Sequence, residues 1–214
     1  MSDIFDDQPL GQLAVKSNGS IGQLNTTTAN PLSGTFTAAQ LSVVHKQVGT
    51  SVKSTFTLTD LPQTVVNGVE YQSSKLFTFP KGVIQFRAAE IALKQKTTSA
   101  IATTLNSTTG AVGIGTSAAV STTLATTTQN LIPTTAFTSS ATINVAGALT
   151  SAILGTGVVG DFFVLDGTTT AKELYLNSAY ATTGDVDGDA TQTWTGTIEV
   201  WWDLLSWPMS AFNG

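Results

Sequence analysis

Cysteine is absent from this 214-residue chain, which excludes disulfide bridges and thiolate metal centres. Arg87 is the sole arginine and His45 the sole histidine. Any imidazole-based triad or metal cluster has to pass through His45, which sits in Val43-Val44-His45-Lys46 and reads as a strand residue. Charged residues make up 11% of the chain, less than half the usual share of roughly 25%. A net charge of −5 with pI near 4.6 lacks the basic footprint of a nucleic-acid binder. The start, Met1-Ser2-Asp3-Ile4-Phe5-Asp6-Asp7, has neither a basic n-region nor an apolar h-region, so no secretion signal is expected. Long apolar runs are missing too, because Thr and Ser interrupt the blandest stretches, and no membrane-spanning helix is expected.

Threonine supplies the polar surface that charge does not: about one residue in six is Thr. It is β-branched, stiff at χ1 and suited to a pleated, half-buried surface, so the composition points to an all-β chain. Many short strands, turn signals and no fixed repeat predict a β-sandwich or jelly roll over residues 36–214, preceded by an extended N-terminal arm over residues 1–35. The arm is acidic at its start, rich in Gly, Asn and Thr, and ends near Pro31.

Local patterns refine this outline. Val52, Ser54, Phe56 and Leu58 alternate with Lys53, Thr55, Thr57 and Thr59, the period of a half-buried strand. Asn67-Gly68 predicts a hairpin between residues 64–66 and 69–71, and Asp166-Gly167 a second one between residues 162–165 and 172–176. Residues 82–96 contain good helix formers, yet Ile84, Phe86 and Ala88 alternate with Gln85 and Arg87, and Ile91 with Leu93 resumes the alternation after one slip. A strand carrying a β-bulge fits that better than a helix. Near the end, Trp194, Gly196, Ile198, Val200, Trp202 and Leu204 share one strand face and Thr195, Thr197, Glu199, Trp201 and Asp203 the other; the first is assigned to the core.

Candidate chemistry is sparse. Residues 155–160 match the dinucleotide string G-x-G-x-x-G, but a strand-like Asp161-Phe162-Phe163-Val164 follows where a helix should open. Asp185, Asp187 and Asp189 alternate as calcium ligands can, but the glycine is one position early and Gly196 stands where the bidentate glutamate belongs, so an acidic solvated loop is the simpler reading. Trp194, Trp201, Trp202 and Trp207 crowd together; packing explains such density better than a sugar-stacking platform, with Trp201 the one expected to face outward. Glu70, Glu90, Glu173 and Glu199 form no pattern that favours glycoside cleavage. No catalytic residue, metal or cofactor is assigned, and an enzyme is not expected.

Charge is distributed unevenly. Residues 46–96 are mostly basic, residues 97–160 carry no charge at all, and from Asp161 onward acids dominate with Lys172 the single cation. Two readings follow: unlike patches meet between subunits of a ring, or both halves share one sheet and neutralise each other within the monomer. The uncharged Thr/Ala/Gly-rich middle suits burial against neighbouring subunits. Arg87, Lys94, Lys96, Trp201 and Trp207 are the interface candidates.

The acidic unsignalled start, the lack of cysteine, the uncharged residues 97–160 and the strand Thr193-Trp194-Thr195-Gly196-Thr197-Ile198-Glu199-Val200-Trp201-Trp202 together resemble virion structural proteins of tailed bacteriophages, most of all small capsid decoration or cement proteins. That resemblance implies a homo-oligomer, a trimer first, seated on the major capsid protein of a virion assembled in the host cytoplasm, with no nucleic acid or membrane bound. It implies no catalytic residues. The alternative is a tail, fibre or vertex protein that binds a host glycan.

Overall fold

A computed structural model describes residues 36–48, 51–97, 109–138, 163–180 and 189–206, with three further two-residue strands. In chain order the strands are β1 (Thr28–Ala29), β2 (Leu41–Val48), β3 (Ser51–Val65), β4 (Tyr71–Thr78), β5 (Val83–Thr97), β6 (Thr109–Gly115), β7 (Ile132–Thr138), β8 (Gly147–Ala148), β9 (Ala152–Ile153), β10 (Phe163–Asp166), β11 (Glu173–Tyr180) and β12 (Ala190–Ser206). One 3-10 turn, Thr126–Thr128, lies between β6 and β7. The all-β expectation holds, including for residues 83–97, where helix formers lose to the alternation.

Two antiparallel sheets form. The first runs β1-β2-β3-β12-β5-β10, with β8 and β9 also laid against β5; the second runs β4-β11-β6-β7. Pairing is nested: β3 with β12, β4 with β11, β5 with β10, β6 with β7. A single long hairpin, rolled so that successive pairs fall into alternate sheets, has this connectivity, and it defines a jelly roll. The corners keep the pairing. Phe79 N–H donates to Lys172 O at 2.8 Å, Gly82 and Gly167 exchange two backbone bonds at 3.2 and 2.8 Å, and Tyr180 N–H donates to Glu70 O at 2.7 Å.

The predicted hairpin at Asp166-Gly167 is corrected by this topology, and the one at Asn67-Gly68 is kept only as a single rung. At Asn67-Gly68 the chain does reverse, with Gly68 at φ +71° and a single bridge between Val66 and Val69, but β3 stays in the first sheet while β4 enters the second. Likewise β10 pairs with β5 and β11 with β4 and β6, so residues 162–176 make a corner. A turn dipeptide fixes the local reversal only; partners more than a hundred residues away decide which sheet receives the next strand. Of the predicted arm (residues 1–35), Thr28 and Ala29 pair with Val43 and Ser42, and residues 1–27 and 30–35 lie outside the described residues; Phe36, the first residue of the predicted sandwich, packs on the core.

The core fills the space between the sheets with Val52, Phe56, Leu58, Phe86, Ile91, Trp194, Ile198 and Trp202 from one side and Leu76, Phe77, Phe79, Val112, Ile114, Leu174 and Leu176 from the other. Phe77 meets Phe79 edge-on at 5.0 Å, and Phe79 in turn meets Phe86 at 5.1 Å and Trp202 at 5.3 Å, the geometry aromatic quadrupoles favour. The face of β12 assigned to the core is indeed the buried one. In β5 the predicted slip falls at Arg87: Trp201 pairs with Ala88 and Trp202 with Phe86, so Arg87 bulges outward and Ala89, not Ala88, is fully buried.

A polar network ties the sheets together at one end. Gln63 of β3, Gln95 of β5 and Gln192 of β12 are buried beside Ser178 and Tyr180 of β11. Gln63 Oε1 accepts from Ser178 Oγ (2.8 Å), Gln192 Nε2 (2.8 Å) and Trp194 Nε1 (2.9 Å), while its Nε2 donates to Leu176 O at 3.1 Å. Gln192 Oε1 accepts from Tyr180 OH at 2.6 Å and from Gln95 Nε2 at 2.5 Å. Buried amides cost several kcal/mol when unpaired, so this satisfaction is what makes a glutamine-filled interior tolerable.

The outer face of the second sheet is covered by its own chain. Asn177, fully buried on β11, accepts from Ser73 Oγ (2.6 Å) and Ala119 N (3.1 Å) and donates to Ser117 O (3.0 Å) and Thr128 O (2.8 Å). These bonds hold residues 116–131 across the sheet. A Cβ on Gly115 would fall 2.3 Å from Thr127 O, so the close approach requires glycine there.

Candidate interface

The outer face of the first sheet is the open one. Thr57 and Thr59 of β3 and Glu90, Ala92 and Lys94 of β5 are exposed, and Thr195, Thr197, Glu199 and Trp201 of β12 are half-exposed between them. Register sets rows across the strands: Ser42, Thr57, Thr197 and Ala92 in one, Lys46, Lys53, Trp201 and Ala88 in another. The same alternation that buries Phe56 and Ile198 therefore lays threonine along the surface.

Two ion pairs lie on this face, whereas Lys46, Glu90 and Lys94 are exposed and take part in none among the described residues. Lys53 Nζ lies 2.8 Å from Glu199 Oε1 and 4.8 Å above the Trp201 ring, a salt bridge and a cation–π contact from one ammonium. Arg87 donates through Nε and Nη2 to Asp203 Oδ2, each at 2.5 Å. On the second sheet Lys75 Nζ reaches Glu173 Oε1 at 3.0 Å, and Tyr175 OH donates to Glu173 Oε2. Burial, then the bonded and charged Glu173, push the Tyr175 hydroxyl up to about 12. All three ion pairs join a cation of the basic stretch to an acid of the acidic end. For these three cations neutralisation lies inside the monomer, because the fold places β12 between β3 and β5 and β11 beside β4. Lys53 and Glu199 are 28% and 25% exposed, so Glu199→Gln is expected to lower the unfolding free energy by no more than about 1 kcal/mol in urea titration.

Of the interface candidates, Arg87, Lys94 and Trp201 share this one face, Lys94 opposite Thr195 and Trp201 opposite Ala88; Lys96 pairs through its backbone with Thr193, and Trp207 lies outside the described residues. Trp194 and Trp202 are core residues whose indole N–H groups donate to Gln63 Oε1 (2.9 Å) and Ser54 Oγ (2.8 Å), so half of the tryptophan cluster is unavailable as a platform. Glu90 and Glu199 face each other across β5 and β12, but Glu199 is held by Lys53 and Thr55. Residues 155–160, Asp185 and Asp187 lie outside the described residues; Asp189 Oδ1 accepts from Asn67 N at 2.9 Å.

His45 points into the sandwich. Its ring stands 5.1 Å from that of Phe77, and Nδ1 is 2.8 Å from Ser54 Oγ, which already accepts from Trp202. A neutral imidazole offering Nδ1 as acceptor lets the Ser54 hydroxyl donate onward, and burial holds the ring neutral by pushing its pKa down to about 4. The side chain is thereby committed to structure. Sequence reasoning missed the glutamine network, since isolated Gln residues in strands carry no periodic signal.

No family model, no curated protein and no solved structure matches the chain.

Proposed function

We propose that the chain is a structural subunit of a virus particle, a decoration protein that seats the outer face of its first sheet on neighbours in the shell and stabilises their contacts. Jelly rolls occur in viral capsid proteins, lectins and cupins alike, so the surface has to carry the reading. The supporting observation is that face: rich in threonine, with Lys53 paired to Glu199, Arg87 to Asp203, and Trp201 half-buried beneath the Lys53 ammonium. Pre-paired charges and hydroxyls can be covered by a neighbour with little desolvation of net charge, and a tryptophan at the centre is a frequent anchor. Repetition on a lattice then adds many modest contacts.

Light scattering and co-sedimentation with capsid shells assembled without this protein test the reading. A trimer that pellets with shells, and a Trp201→Ser variant that folds but stays in the supernatant, are the expected results. A monomer that ignores shells overturns it, and binding of that monomer on a glycan array would put the tail or vertex role in its place.

A further inference from the structure

The sandwich has an open side between β3 and β4. Strand β2 begins at Leu41, opposite Leu58, so among the described residues the later part of β3 is paired through β12 alone, and β4 is an edge strand paired only with β11. Between these two edges lies a groove of about 340 Å³ lined by Phe36, Pro62, Val66, Val69, Tyr71 and Gln72, with Gln63, Ser and Thr completing it and no charged residue in its lining. Val66 is 45% exposed there, one of few large apolar side chains left open. Gln72 donates through Nε2 to Val69 O at 2.8 Å, while its Oε1 is buried with no donor. An apolar trough beside residues 71–74, an edge that no second described strand pairs, with a spare acceptor in its wall, is suited to an added strand: backbone bonds supply affinity and alternate side chains supply specificity. Pro62 on β3 offers no N–H, so β4 is the edge able to pair.

We propose that this groove takes up part of residues 1–27 from a second copy of the chain, added as an extended strand along β4. Direction argues for a second copy. Thr28 and Ala29 pair antiparallel with Val43 and Ser42, so β1 turns its N-terminal end toward Val48, whereas the groove opens beyond the Leu41 end of β2. Length permits the exchange, since residues 1–27 span on the order of 90 Å when extended. Chemistry matches as well. Residues 8–15 carry no charge and include Leu10, Leu13 and Val15, apolar side chains for an uncharged trough, whereas a charged strand would lose its hydration on entering.

This inference deepens the assembly reading, yet it can fail separately from it. Light scattering on the full chain should give an oligomer, and a synthetic peptide of residues 1–20 in excess should lower its mass toward that of the monomer. Val66→Lys, which charges the groove at an exposed position, and Leu13→Asp, which charges the incoming segment, should each dissociate the oligomer while leaving the circular dichroism and thermal midpoint of the fold unchanged. Peptide binding followed by fluorescence anisotropy should weaken at least tenfold in Val66→Lys. A monomeric full chain, or an oligomer indifferent to the peptide and to both substitutions, overturns the proposal. An oligomer that responds as described but never pellets with shells upholds the exchange and removes the virion reading; one that pellets regardless of Val66→Lys and Leu13→Asp does the reverse.

Discussion

Gln63→Leu is expected to lower the unfolding free energy by about 3 to 5 kcal/mol, the largest effect of any single side chain outside the aromatic core. Leucine is close in size, so the loss comes from hydrogen bonds rather than from volume. Gln63 Oε1 is the acceptor shared by Ser178, Gln192 and Trp194, and Leu176 O loses a donor at the same time. Each buried group that forfeits its partner costs about 1 to 3 kcal/mol, and the members of a connected network fall together. Urea denaturation followed by tryptophan fluorescence measures it directly, since Trp194 reports on the site. A loss below about 1 kcal/mol would mean that the network is incidental to stability.

Acid should weaken the fold well before its carboxylates titrate. In the unfolded chain His45 takes up a proton near its usual 6.5; in the folded chain burial delays uptake to about 4. Between those values the unfolded state binds more protons, so stability is complete above pH 6.5, falls as pH drops, and has lost about 3 kcal/mol at pH 4. Asp166 and Glu173 also titrate below their ordinary values. Hydrogen bonds from the Thr168 side chain and backbone depress Asp166, and against an upward push from burial those from Tyr175 and Lys75 depress Glu173. A carboxylate lowered in the fold contributes above its unfolded pKa and loses that contribution as pH falls toward the folded one, so the Asp166 loss starts near 3.8, below the histidine window, and the Glu173 loss near 4.5, at the lower end of that window. Denaturation midpoints at pH 7, 6, 5 and 4.5 should therefore decline in the wild type and stay level in His45→Leu. Equal slopes in the two proteins would show that the ring is not buried neutral.

Strand faces were legible because burial is one-sided: Phe56 and Leu58, or Ile198 and Val200, announce a core face that Thr57 or Glu199 does not share. The bulge in β5 was legible to within a residue, since one extra position must invert the alternation, and only the pairing of Trp201 with Ala88 fixes it at Arg87. Partnership of strands was not legible. Asn67-Gly68 and Asp166-Gly167 carry hairpin chemistry, yet both serve corners of the roll, because the next strand is claimed by a sheet whose other members are distant in sequence. The outer face was half legible: Arg87, Lys94 and Trp201 were singled out one by one, while their place on one face depends on β12 entering between β3 and β5. The groove beside Val66 leaves no trace in the sequence at all, being made by the parting of two sheets.

That central insertion of β12 also governs the order of events during synthesis. Strands β3 and β5 leave the ribosome early, each with one apolar face and with an edge that only β12 can occupy between them. The residues separating Thr97 from Ala190 take on the order of 5 to 20 s to translate. Through that interval the two longest early strands stand with unfilled edges, the condition under which nascent β chains pair with the wrong partner. Slower initiation or a holding chaperone should raise soluble yield more than any stabilising substitution, because the hazard precedes the fold.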